Sequence, residues 1–116
     1  MRFLVTAFAL VASSLAFAQS PPIYKRGEVV RVRDVAKPAV MKVVGLPDEI
    51  VQVDESGVYV NDVAVMGFSQ EFLKRNTWAR QYVPFGHYFV IGEERNGQEI
   101  SEHVGIHPED VIERAQ

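Results

Sequence analysis

Val83-Pro84-Phe85-Gly86-His87-Tyr88-Phe89-Val90-Ile91-Gly92 decides the fold class of this chain. Pro84 and Gly86 supply turn chemistry: Pro presets its own φ, and Gly accepts positive φ without steric cost. His87 to Ile91 is then the strongest β run in the sequence, because aromatic and β-branched side chains suit a pleated, half-buried surface.

The same texture extends outward on both sides. Glu28 to Arg33 alternates apolar and polar residues, the mark of a strand with one wet face. Val40 to Val44 is a short apolar run, consistent with a buried strand, and Glu49 to Asp54 alternates again. Glu55-Ser56-Gly57 forms a turn, Val58-Tyr59-Val60 returns, Asn61-Asp62 makes a second tight turn, and Val63-Ala64-Val65 leaves it. Ser69 to Arg75 reads either as a short helix capped by Ser69, with Phe72 and Leu73 inward, or as an irregular loop. Beyond Gly92, the polar stretch Glu93 to His103 holds Gly97 and reads as a loop. Val104-Gly105-Ile106 and Val111-Ile112 read as short closing strands around Pro108. Many short strands with turns between them predict an all-β, mostly antiparallel, partly closed sheet. The chain has no internal repeat, low-complexity tract or interdomain linker.

With 116 residues the chain suits one small domain. There is no cysteine, so neither a disulfide framework nor a thiolate site can form. Met1-Arg2 is a short basic start, Phe3 to Leu15 is largely apolar, and Ala16-Phe17-Ala18 has the small-x-small form of a cleavage site. This is the anatomy of a secretory signal peptide, and the run is shorter than the ~20 apolar residues of a membrane span. The expected organisation is a signal peptide at 1–18, or alternatively an uncleaved N-terminal membrane anchor, followed by one domain at 19–116. Cleavage after Ala18 removes Arg2, leaving 11 Lys and Arg against 15 Asp and Glu, a net charge of −4. A mildly acidic domain with scattered basic residues argues against nucleic-acid binding.

Several ordered segments resemble type I signal peptidases, membrane-bound serine proteases that remove export signals. Arg26-Gly27-Glu28-Val29-Val30 is similar to the family's R-G-D-I-V-V, and Val40-Met41-Lys42-Val43-Val44-Gly45-Leu46-Pro47 to its K-R-x-x-G-L-P-G-D segment. Gly57 to Asn61 matches G-x-x-Y-V-N-G, Val83 to Gly92 matches V-P-x-G-H-Y-F-V-x-G, and Gly105 with Pro108-Glu109-Asp110 matches G-x-V-P-E-D. Asp48-Glu49 replaces the usual Gly-Asp, a mild change because Asp tolerates the left-handed conformation. The likeness covers roughly Lys25 to Ala115.

The resemblance implies a serine nucleophile and a lysine general base, and the expected positions have changed. The base position is Met41, whose thioether cannot take a proton from a hydroxyl. Lys42 is adjacent, but neighbours on a strand face opposite ways, so using it needs a slip or a bulge before Gly45; it reads as a solvated charge. Met41 reads as a flexible core filler. The family's S-M-x-P-T nucleophile segment is missing: Gln19 takes the serine's place, and Ser20 stands one position away. In the loop after Gly92, Arg95 and Ser101 are kept. Gln98 replaces the serine that orients the lysine, Ile100 replaces an aspartate, and Glu102 replaces an arginine.

Other constellations read as structural. His103 and His107, four apart with Glu102 adjacent, have metal-ligand spacing on a helix, but Gly105 and Pro108 oppose a helix, so no metal and no cofactor is expected. His87 reads as structural. Glu93, Glu94 and Glu99 read as a solvated surface, and Phe68, Phe72 and Trp78 as core or lid. The sequence therefore predicts an exported, periplasmic or extracellular domain without a confident catalytic residue. Its expected partner is an exported peptide or protein, held in a secretion or conjugation setting, with the membrane as a further partner if the N-terminal segment stays uncleaved. The alternative is an active endopeptidase with a displaced dyad of Ser20 and Lys42.

Overall fold

The computed structural model describes residues 22–36, 40–97 and 99–115. The expected signal segment at 1–18, Gln19, Ser20 and Gln98 lie outside the described residues.

Nine strands form two antiparallel sheets among the described residues: β1 (Val29–Val32), β2 (Val40–Gly45), β3 (Ile50–Asp54), β4 (Gly57–Val60), β5 (Val63–Val65), β6 (Trp78–Tyr82), β7 (His87–Asn96), β8 (Glu99–Pro108) and β9 (Ile112–Arg114). One helix, α1 (Gln70–Arg75), lies between β5 and β6. The larger sheet has the order β8-β7-β2-β1-β9, the smaller β5-β4-β3-β6. The mostly antiparallel all-β architecture is as expected. Closure is not: the two sheets remain separate and open.

The run at His87 to Ile91 is apolar on both sides because β7 is buried on both faces. Phe89 and Ile91 join Val44, Val51, Val53, Val58, Val60, Phe72, Leu73 and Val83 in the core between the sheets. Tyr88 and Val90 face the other way and pack with Tyr24, Val30, Val32, Met41, Val43 and Ile112. β2 serves both cores through a bulge. Val43 pairs with Val90 and Gly45 with Phe89, which leaves Val44 as an extra residue. Val43 and Val44 are thus consecutive, both buried, and on opposite faces. Gly45 has no substitute here, because a Cβ would lie 2.6 Å from Val51 Cγ1 and 2.9 Å from Phe89 Cβ.

The turns obey local chemistry. Asn61 and Asp62 hold φ of 51° and 66°, the paired left-handed conformation of a tight two-residue hairpin. Asp48 adopts φ 71°, as its place after Gly45-Leu46-Pro47 requires. Ser69 caps α1 by accepting from the Phe72 N–H at 3.1 Å, which settles that segment as a helix.

Two expectations need correction, and one strand was not anticipated. Glu93 to His103 is not a loop: β7 continues to Asn96 and β8 starts at Glu99, forming a long hairpin that turns at Gly97. Its outer half carries polar residues on both faces, so it lacks the alternation that marks a strand. Trp78–Tyr82 is an edge strand whose last four residues are all exposed, which hides it in the same way. Val111 ends a 3-10 turn (Glu109–Val111), and only Ile112 onward is strand.

Candidate functional site around Met41

Met41 sits on β2 beside Val30 of β1, with 2% of its surface exposed. On the β7 side it lies against Gly92, where a Cβ would come 2.7 Å from Met41 Cγ and 3.2 Å from the Val40 carbonyl. Gly92 in turn pairs with His103 on β8. Met41, Gly92 and His103 thus form a row across one face of the larger sheet. Only a residue without a side chain at 92 lets the Met41 chain lie flat there. Burying Met41 contributes on the order of 1.5–3 kcal/mol, and the sulfur supplies no proton acceptor of useful strength.

Lys42 is exposed and faces the opposite way. It pairs with Ile91 on one side and Val29 on the other. A bulge between Lys42 and Gly45 does exist, at Val44, and Lys42 lies on the face opposite Met41. Lys42 borders a groove of about 390 Å³, also lined by Val29, Val40, Met41, Phe68, Gly92 and Glu93. Val29 and Val40 are 41% and 47% exposed, so part of the apolar lining is open to solvent.

The remaining predicted positions scatter. Ile100 is exposed on the hairpin, and Glu102 lies on β8 in a bidentate pair with Arg75 of α1 at 2.8 Å for both contacts. The residue that stands for an arginine is thereby matched by an arginine on the facing element. Donating these hydrogen bonds to the Glu102 carboxylate raises the Arg75 pKa. Ser101 is half-buried beside Gly92 and His103 in a second cleft of about 420 Å³. Ser56 bonds Asp54 and Tyr59, and Ser69 caps α1, so both hydroxyls have structural work. His87 Nδ1 lies 2.9 Å from the Phe85 carbonyl and braces its turn. Phe72 is fully buried, with Phe68 and Trp78 packed partly buried against the same core. Among the described residues no three His, Cys, Asp or Glu side chains are grouped to hold a metal.

Two further features bind the segments together. Arg26 donates to Glu49 at 2.7 and 2.6 Å and to the Val44 carbonyl at 2.9 Å, while Glu49 accepts the Leu46 N–H at 2.7 Å. Burial alone pushes the Glu49 carboxyl up, but the bonds from Arg26 and Leu46 outweigh it and hold the pKa below the usual carboxylate value. Tyr88 Oη accepts from the backbone N–H groups of Ile23 and Tyr24 at 2.9 and 3.3 Å, and Tyr24 Oη donates to the Ile112 carbonyl at 2.8 Å. Burial raises the pKa of Tyr24, so that hydroxyl stays a donor. The chain entering the domain is thereby fastened over the core that contains Met41.

The role of Gly92 and the partner of Glu102 were not legible beforehand. Gly92 had a signal, its place at the end of the β run. Arg75 had none, because it is brought to Glu102 by a helix far away in sequence. Comparisons with curated proteins and with solved structures gave no match. The family model described as signal peptidase, peptidase S26, matches residues 4–116, which includes both strands of the Met41–Gly92 contact. With that match across nearly its whole length, the chain belongs to the signal peptidase family, peptidase S26.

Proposed function

We propose that this chain is an exported signal peptidase-like domain that does not hydrolyse peptides and instead holds an extended exported peptide or protein partner. The observation that carries this reading is Met41, fully packed where the family places its lysine base. Activating a serine needs a neutral amine or another base within hydrogen-bond reach. The thioether at this position supplies no such base. The groove bordered by Val29, Val40, Lys42 and Phe68 supports the binding half of the reading. Its exposed valines offer apolar contact for side chains of an extended segment, and such contact does not need a catalytic pair. Export is supported by the N-terminal signal pattern. Among the described residues no helix is long and apolar enough to cross a membrane.

The test is fluorescence anisotropy with a labelled peptide spanning the region around a signal cleavage site. The purified chain is expected to bind it saturably, and Val40→Arg to weaken binding about tenfold or more by placing a charge in the apolar lining. Equal binding by the variant and the parent would remove the groove from the account.

A further inference from the structure

His103 and His107 are both on β8, four residues apart, and a straight strand would hold them far from each other. Here the two rings lean together over Gly105. Their Nε2 atoms are 2.7 Å apart and the rings stack with centroids 4.9 Å apart. A Cβ at position 105 would lie 3.0 Å from one Nε2 and 3.1 Å from the other, so the glycine creates the space in which they meet. On the far side of His107, Nδ1 lies 3.4 Å from an Asp34 carboxylate oxygen.

We propose that His103 and His107 bind one borderline divalent cation of the zinc type through their two Nε2 atoms. Two ligands at zinc–nitrogen distances of about 2.0–2.1 Å in a tetrahedron stand about 3.3 Å apart, so the pair needs to open by only about 0.6 Å. A small rotation of either ring supplies that. The contact of His107 Nδ1 with Asp34 favours a proton on Nδ1, which leaves the Nε2 lone pair free, the arrangement of a carboxylate–histidine–metal unit. Both imidazoles also favour the neutral, ligating form. Burial lowers the pKa of each, and His107 lowers that of His103 further, although Asp34 acts in the opposite direction. When His107 carries its proton on Nδ1, its Nε2 accepts a hydrogen bond from His103 Nε2–H. The cation then replaces that proton, which His103 can keep by holding it on Nδ1 instead. His103 borders the cleft lined by Val35, Ala36 and Ser101, which gives water access to the remaining coordination positions. The site is separate from the groove at Lys42, since His103 and Lys42 lie on opposite faces of the sheet.

The experiment is calorimetric titration of the full chain, without a histidine tag, with zinc chloride, and with cobalt chloride followed by visible absorption. One cation per chain is expected, with affinity reduced at least tenfold in His103→Gln and in His107→Gln and unchanged in His87→Gln. Asp34→Asn is expected to weaken binding about tenfold, the lower end for removing a group that orients a ligand. Imidazole 15N resonances of the unmodified chain give a readout independent of any variant's folding: zinc is expected to shift Nε2 of His103 and His107 and to leave His87 alone. No saturable binding, or zinc-induced shifts absent from both His103 and His107, would overturn the proposal.

Discussion

Met41 and Lys42 are neighbours in the chain and opposites in environment. Met41 is sealed between Val30 and Gly92, whereas Lys42 stands in solvent at the rim of a groove. The difference shows that the identity of a site depends on which face of a strand a residue occupies more than on where it falls in a motif. A one-residue change of register would exchange the two, and the two cores that β2 serves prevent it. Val43 and Val44, buried on opposite faces on either side of the bulge, fix the strand in place.

The strongest way to break the contrast is to return an amine to the sealed side. Met41→Lys places an ammonium where 2% of the surface is exposed, so desolvation disfavours the charged form and lowers its folded pKa. The expected loss at pH 7 is on the order of 4 kcal/mol, as for a buried lysine shifted by about 3 units. The deficit is full below the depressed folded pKa and shrinks as pH rises toward the unfolded lysine value, which urea midpoints measured across alkaline pH would trace. Truncation sharpens the same contrast. Met41→Ala is expected to cost about 2–5 kcal/mol by leaving a cavity, while Lys42→Ala stays within about 0.5 kcal/mol. Similar urea midpoints for those two variants would contradict the assignment of faces.

Gly92→Ala probes the wall of the sealed side. Its Cβ meets Met41 Cγ, near the root of that side chain, so the methionine has to leave its place, at an expected cost of about 1–3 kcal/mol. Combining it with Met41→Ala is expected to recover part of that loss, a coupling that a double-mutant cycle reads directly. A smaller loss is expected at the far end of the same segment. Glu49→Gln weakens the pair with Arg26, whose side chain is 43% exposed, so solvent screening limits the loss to about 1 kcal/mol or less at pH 7. Because the folded pKa of Glu49 lies below its unfolded value, this stability is present above the unfolded pKa and disappears as pH falls through the folded one. Parent and variant are therefore expected to converge in acid, as thermal unfolding at acidic and neutral pH would show.

Much of the fold was legible because local chemistry and burial agree. The alternation of Ile50 to Asp54, the Asn61-Asp62 turn and the Ser69 cap each carry their own signal and appear where expected. The outer hairpin was hidden because the polar stretch from Glu93 to His103 lacks the alternation that marks a strand. Trp78–Tyr82 was hidden for the same reason, an edge strand with four exposed residues in succession. Of the candidate site, the opposition of Met41 and Lys42 follows from strand geometry alone. The match between Glu102 and Arg75, and the meeting of His103 with His107 over Gly105, depend on tertiary approach. Their spacing suits a shared ligand on a helix, which Gly105 and Pro108 oppose, and a strand with a glycine between them brings the rings together by another route.

The most direct measurement of the central claim is cleavage itself. The purified full chain is incubated at stoichiometric concentration with an exported precursor, and the products are read by mass spectrometry. With a thioether in the place of the base, the precursor is expected to remain intact over the time in which an active signal peptidase converts it fully. Cleavage at the signal junction that disappears in both Ser20→Ala and Lys42→Ala would contradict the account and establish the displaced dyad instead.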